Sequence, residues 1–295
     1  MRIDLHTHSD ASDGTDTPAE LVANAVAAGL DVVAITDHDT TAGWDEATAA
    51  LDRAPAGFRL VRGMEMSCEG RGEDGDPVPV HLLAYLFDPA DATFAAERIR
   101  QREERIGRLR SMAVKIAADY PIDPDAVLAR VGTSAGRPHL AAALVAAGVV
   151  DSVGQAFEDL LSRKSKYYVP KLDAPLDDAV AMIAAAGGVS VIAHARARMR
   201  GRLLALDHIE ELAELGLGGL EIFHPDHNDD DRALLAHLAA SLDLIGTGSS
   251  DYHGDNKALR LGECSTDPEA FEALAARATG VSVLVAGATR SDGER

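Results

Sequence analysis

Two rhythms of apolar and polar positions alternate along this chain. Short β-rich apolar runs recur, and between them lie Ala-rich stretches with helical spacing. Such alternation predicts an α/β protein with a largely parallel sheet, because each strand hands over to a helix that carries the chain back. Seven strands are read this way: Arg2–His6, Leu30–Thr36, Phe58–Glu65, Val78–Leu86, Val189–His194, Gly218–Phe223 and Leu242–Gly248. The first helix is marked at both ends. Thr17 is its N-cap, Pro18 takes the first helical position and Glu20 completes a capping box. Leu21, Ala25 and Ala28 form its apolar face, and Gly29 ends it.

Between Phe94 and Pro170 the rhythm changes and helix follows helix. Glu97 to Ile116, Pro138 to Gly148 and Val153 to Leu161 are the helical patches. The expected organisation is a barrel in two parts, residues 1–93 and 171–295, around an inserted helical subdomain, residues 94–170. The polar tail Ser291–Arg295 is expected to fray.

Composition narrows the class. Hydrophobic residues make up 46% of 295, enough for a packed core. No apolar run reaches the roughly 20 residues of a membrane span, and Met1 opens directly into a strand-like segment, so neither a span nor a leader is expected. Cys68 and Cys264 stand far apart with no CxxC motif, which fits a reducing cytoplasm. With 28 Lys+Arg against 48 Asp+Glu the net charge is −20, so an extended basic surface for long nucleic acid is not expected. A small anionic substrate stays open, because bound metal ions reverse a local field.

The candidate chemistry lies at strand ends. The first strand closes on His6-Thr7-His8; residues two apart share a side, so both imidazoles face one way while Leu5 and Thr7 face the other. Asp251-Tyr252-His253 repeats the spacing after the last strand. Asp37-His38-Asp39, Glu65 and His194 close three others, His81 sits early in the fourth, and Asp13 lies in a Ser-Asp-Gly turn. Taken singly, a strand-end histidine is an ordinary hydrogen-bonded residue, and His139, His208, His224 and His237 keep that reading. Jointly the pattern differs, since the C-terminal strand ends of a closed α/β barrel converge on one mouth. Packing gives no reason to gather desolvated imidazoles and carboxylates there, whereas metal ions do. A His/Asp/Glu set without Cys suits Zn, Mn or Fe. Nine candidates would serve two or three ions, with Glu65 as a bridging carboxylate and Gly63 leaving space beside it.

These motifs, His6-Thr7-His8-Ser9, Ser12-Asp13-Gly14, Ile35-Thr36-Asp37-His38-Asp39, Gly63-x-Glu65, Ile192-Ala193-His194 and Ser249-Ser250-Asp251-x-His253, resemble those of the PHP (polymerase and histidinol phosphatase) family. The resemblance covers nearly the whole chain. It implies a distorted seven-stranded (β/α)7 TIM-like barrel with a trinuclear metal centre. His6, His8, Glu65 and Asp251 would bind one ion, Glu65, His81 and His194 a second, and Asp13, His38 and His253 a third. Gly136-Arg137-Pro138-His139 and the basic run Arg163-Lys164-Ser165-Lys166 before Tyr167-Tyr168-Val169 resemble the nucleotide phosphatase and RNase-like branch.

The function this implies is a metal-dependent phosphoric monoester hydrolase acting on nucleoside 3′,5′-bisphosphates or nucleoside monophosphates. Two metal ions would share a hydroxide, held by Glu65, for in-line attack. Arg137 would grip phosphate, with Lys164 and Lys166 both candidates for the same task. His227 reads either as a phosphate contact or leaving-group acid, or as a solvated loop histidine. Asp37 reads as a residue orienting a neighbouring ligand or as a strand-end cap. Arg98, Arg102, Arg105 and Arg108, interleaved with Glu97, Glu103 and Glu104, read as an ion-paired face, or Arg105 or Arg108 as a second phosphate contact. The alternatives are a 5′–3′ exonuclease on short RNA, a histidinol-phosphate phosphatase, and a non-catalytic metal-binding module.

Overall fold

A computed structural model describes residues 1–129, 131 and 135–288; Ser291–Arg295, the expected frayed end, lie outside them. The first part of the chain runs β1 (Ile3–Asp4), α1 (Pro18–Ala27), β2 (Val32–Ile35), α2 (Trp44–Ala50), β3 (Arg59–Arg71) and β4 (Pro77–Tyr85). The helical stretch follows as α3 (Ala92–Ala117), α4 (Pro124–Leu128), α5 (Arg137–Ala146) and α6 (Val153–Asp159). The chain then resumes with β5 (Ala174–Pro175), α7 (Leu176–Ala185), β6 (Val189–Ile192), α8 (Leu206–Glu214) and β7 (Gly219–Phe223). It ends with α9 (Asp229–Ser241), β8 (Ile245–Gly248), α10 (Pro268–Arg277) and β9 (Leu284–Val285).

Pairing runs in the order β1-β2-β3-β4-β6-β7-β8, a nearly closed barrel, with β5 and β9 attached to β3. A bridge between Thr7 and Tyr252 brings the two ends together, and the His8 N–H donates to the Tyr252 carbonyl at 2.8 Å. All seven expected strands are present, but the sheet is mixed. β4 runs antiparallel to both β3 and β6, and β9 antiparallel to β3, while the other pairs are parallel. The cause is local. β3 does not stop at Glu65 but continues to Arg71, and the Gly72 N–H donates to the Asp76 carbonyl at 2.8 Å across a tight turn. So short a connection can join only antiparallel strands.

The pleat sorts the apolar residues. Ile3, Leu5, Val32, Ala34, Val61, Leu83, Tyr85, Val189, Val191 and Ile245 share the inner face, joined by Phe271 and Leu274 of α10. The outer faces, including Val33, Ile35, Leu60, Leu82, Ile192 and Leu220, pack on Leu21 and Ala25 of α1, Val180 and Ile183 of α7, and Leu212 of α8. The Tyr85 hydroxyl donates to the Leu5 carbonyl at 2.7 Å, tying β4 to the segment after β1 inside the barrel. The capping box of α1 forms as expected: Thr17 Oγ1 accepts from the Glu20 N–H at 3.2 Å and Glu20 Oε2 from the Thr17 N–H at 2.9 Å. Gly29, just past the helix, has φ +74°, a conformation costly for any side chain.

The described chain forms two compact units, one of residues 1–95 with the chain from Ala174 onward, the other Ala96–Asp173. The helical unit has its own core, with Leu109, Met112 and Ile116 of α3 against Leu140 and Leu144 of α5 and Leu161 and Tyr167 beyond α6. No helix among the described residues is long and apolar enough to cross a membrane.

Candidate metal centre

The inner face turns from apolar to ionisable at one end of the barrel. Glu65 of β3 is fully sequestered there, with five imidazoles around its carboxylate. Oε2 lies 3.2 Å from His6 Nε2, 3.1 Å from His8 Nε2 and 3.0 Å from His38 Nδ1. Oε1 lies 2.8 Å from His81 Nδ1 and 3.2 Å from His194 Nε2. Asp251 Oδ1 stands 3.5 Å from each of His6 Nε2, His8 Nε2 and His253 Nδ1. On the other flank Asp13 is 3.3 Å from His253 Nε2, 3.6 Å from His38 Nε2 and 3.7 Å from His8 Nδ1. The structure thus brings together every one of the nine side chains singled out at the strand ends.

They group differently from the family-derived sets in two places. His38 joins Glu65 and His81, and His8 joins Asp13, His38 and His253, while His6, His8, Glu65 and Asp251 group as expected. His81 reaches the cluster because β4 is reversed, so a position early in that strand faces the mouth. His6 corrects the expected alternation. β1 ends at Asp4, the chain leaves the regular pleat, and Leu5 lies in the inner core while His6 also meets the inward-facing Glu65.

The donors fit divalent cations. His6 Nε2 and His8 Nε2 face each other at 3.1 Å, and each is about that far from Glu65 Oε2. Ligand atoms about 2.0–2.1 Å from a metal stand about 3.0–3.4 Å apart in octahedral or tetrahedral geometry, so this triangle matches one face of a coordination shell. His8 Nδ1, His38 Nδ1 and Glu65 Oε2 are buried without a hydrogen-bond partner among the described residues. Unpaired buried nitrogen and oxygen atoms are costly unless something takes their lone pairs.

Electrostatics prepares the same groups. Burial works against the charge of Glu65, yet His81, His6 and His38 hold its carboxyl well below the usual range. Asp251 is depressed in the same way by His6, His224 and His8 against its own desolvation. Burial takes His38 and His194 down to about 3, leaving both neutral at pH 7. In His8, burial is overcome by Asp251 and Glu65, and the imidazole is pushed up to about 9.

Further residues hold the clustered side chains in place. Glu221 of β7, fully buried, takes His6 Nδ1 at 3.1 Å through Oε1 and accepts the His194 N–H at 2.7 Å through Oε2. A proton on His6 Nδ1 leaves the Nε2 lone pair for the cluster. Nothing in the strand pattern separated Glu221 from an ordinary outward-facing acid; only register shows it pointing inward. Asp37 acts on a loop rather than on an imidazole: it accepts from the Ser9 N–H, Ser9 Oγ and Ser12 Oγ, each at 2.7 Å. That pins the turn carrying His8 and Asp13. At Gly14 a Cβ would stand 2.5 Å from the His8 carbonyl oxygen, so the turn excludes any side chain there. His194 and Asp251 have φ +32° and +56°, strain that aims their side chains out of the strand direction.

The two histidines after β7 differ in what their ring nitrogens touch. His227 is buried, with Nδ1 at 2.9 Å from the Ile222 carbonyl and Nε2 accepting the Arg196 N–H at 3.2 Å. Both nitrogens serve the loop, so His227 has none left for a phosphate or a leaving group. His224 is the one whose Nε2 is unsatisfied, 3.6 Å from Asp251 Oδ2, while its Nδ1 accepts the Asp226 N–H at 3.0 Å.

Within the helical unit, Arg137 donates to the Leu161 carbonyl at 3.0 Å and lies over Phe157 and Tyr168. Arg108 donates to the Val169 carbonyl at 2.7 Å and also covers Tyr168. Burial, with Arg108 and Arg163 close by, holds the Arg137 guanidinium below its ordinary value. Lys166 is paired with Asp119 at 2.8 Å, whereas Lys164 is exposed with no partner among the described residues.

An α/β barrel whose mouth gathers imidazoles and carboxylates without a thiolate defines a metal-dependent hydrolase. Residues 4–184 match the PHP domain, and the chain belongs to the PHP family, as a hydrolase of phosphoesters. A 5′-3′ exoribonuclease of Haemophilus influenzae is 35% identical over 89% of this chain and 93% of its own. A phosphoribosyl 1,2-cyclic phosphate 1,2-diphosphodiesterase of Eggerthella lenta is 33% identical over 85% and 94%. A 3′,5′-nucleoside bisphosphate phosphatase of Chromobacterium violaceum is 34% identical over 88% and 89%. A crystal structure from Bifidobacterium adolescentis, described as a metal-dependent phosphoesterase, has TM-score 0.83 and 41% identity, covering 94% of this chain and 96% of that one.

Proposed function

We propose that the protein removes a phosphate from small nucleotides, as a 3′-phosphatase of nucleoside 3′,5′-bisphosphates or as a nucleoside monophosphatase. The observation that carries this reading is the convergence of five imidazoles on the single carboxylate of Glu65, with two of their nitrogens and Glu65 Oε2 left unpaired. His6, His8, Glu65 and Asp251 hold one divalent ion in this reading, Glu65, His81 and His194 a second, and Asp13, His38 and His253 a third. Mn, Zn and Fe all suit the donor set. Such ions, when bound, place positive charge beside the phosphoryl group and acidify water.

The chain's own part is positional. Glu65 bridges, Glu221 fixes the His6 ring and Asp37 fixes the loop of His8 and Asp13. From the helical unit, Arg137 and Lys164 are assigned to substrate phosphate on their uncommitted donors. The Chromobacterium relative supports the bisphosphate substrate. A second reading, trimming of short RNA from its 5′ end, is favoured by the Haemophilus relative, while the net charge of −20 weighs against long RNA. Cys68 and Cys264 form no disulfide among the described residues, which fits a reducing cytoplasm, the compartment this reading assigns.

The test is turnover by Mn-loaded protein on adenosine 3′,5′-bisphosphate, 5′-AMP and a 5′-phosphorylated tetraribonucleotide. Inorganic phosphate from either mononucleotide, abolished by chelation, is the expected result. Mononucleotides released only from the oligomer would replace it with the exonuclease, and no product from any of the three would sink both.

A further inference from the structure

Asp251 has two faces. Its Oδ1 belongs to the histidine cluster, while Oδ2 accepts from Arg200 Nη2 at 2.7 Å and Lys257 Nζ at 2.8 Å. Arg200 is braced by a second bond, Nε to Asp226 Oδ2 at 2.7 Å. Neither cation was singled out from the sequence. Arg200 lies in the loop after β6, beyond His194, and Lys257 follows β8, beyond His253.

Two cations on one carboxylate oxygen would be ordinary if that carboxylate had only them to neutralise. Here its charge is also shared with the cluster through Oδ1, so Asp251 does not neutralise both cations by itself, and Asp226 balances part of the Arg200 charge. Donors, by contrast, are in excess. A guanidinium has five N–H groups and an ammonium three, and the bonds above use two and one of them. Arg200 Nη1 has no acceptor among the described residues. Both side chains are held at one end and open at the other, with 35% and 34% of their surface exposed. Fixed donors of this kind, in place before the substrate arrives, are what a developing phosphoryl charge requires.

We propose that Arg200 and Lys257 are a catalytic pair that receives the non-bridging oxygens of the scissile phosphoryl group beside Asp251. The inference rests on the phosphoester reading above. The competing role is purely structural, two counter-ions that keep Asp251 in place.

Arg200→Ala, Arg200→Gln and Lys257→Ala, compared with wild type, separate these roles through three readouts: bound metal per chain, inorganic phosphate affinity by calorimetry, and kcat/KM on a phosphomonoester. The expected result is unchanged metal content, phosphate affinity weakened about tenfold or more, and kcat/KM lowered on the order of 10²–10³-fold. Arg200→Lys should restore part of the phosphate affinity. Wild-type phosphate affinity in the variants would overturn the proposal, as would metal lost in proportion to activity. If wild-type protein turned over no phosphoester, the reading of the function would fail. The phosphate titration of wild type against variants would still decide whether the pair binds the anion.

Discussion

Glu221 and His227 show how much one residue's role depends on what its polar atoms touch. Glu221 touches no candidate ion position, yet it sets which nitrogen of His6 is free for the cluster. Glu221→Gln is therefore expected to weaken metal binding by about 10–100-fold, measured by competition with a chromophoric chelator, without unfolding the barrel. For His227 the expectation is the reverse. Its two buried hydrogen bonds make His227→Ala destabilising by about 1–3 kcal/mol in urea unfolding, while the folded fraction keeps its kcat. Loss of kcat with unchanged stability would return His227 to the chemistry. The residues that cluster at the mouth were legible in the sequence, since donor type and strand-end position are properties of the residues. Glu221, Arg200 and Lys257 were not, because nothing local distinguishes them from surface charges.

Among the elements, β4 decides the most. A hairpin from β3 reverses it, places His81 at the mouth and sets Tyr85 across the barrel with its hydroxyl on the Leu5 carbonyl. Tyr85→Phe would leave that buried carbonyl without its donor at little change in volume. A loss of about 1 kcal/mol is expected in chemical denaturation, with metal content unchanged. The same element explains Gly63. A Cβ there would meet the Ala84 carbonyl at 3.0 Å and the Tyr85 ring at 3.1 Å, so the space beside Glu65 is shared with the hairpin partner. The reversal escaped the apolar pattern because Ser67-Cys68-Glu69-Gly70-Arg71 mixes polar and apolar residues in the manner of a loop. Cys68 and Gly70 are in fact buried in β3.

At the scale of the whole molecule, the metal-free protein stores charge that bound ions would replace. His8 is held up to about 9, so at pH 7 it carries a proton that a metal ion must displace. Metal affinity should thus rise with pH from 6 towards 9, with proton release at pH 7 seen by calorimetry in buffers of different ionisation enthalpy. A flat profile across that range would show that His8 is already neutral. Ions that bind only the folded chain also stabilise it, by about 2.7 kcal/mol at a hundred times their Kd. Thermal unfolding with and without chelator should therefore separate the two states.

What the sequence determined by itself was everything set by residue type and short-range pattern: seven apolar strands, the capped first helix, the helical stretch between them, and a donor set of imidazoles and carboxylates at strand ends. The tertiary structure alone decided the direction of β4, which histidine after β7 keeps a nitrogen free, and which acids and cations surround Asp251 and His6. These depend on register, turn geometry and hydrogen bonds between residues as far apart in the chain as His6 and Glu221, and no local pattern carries that information.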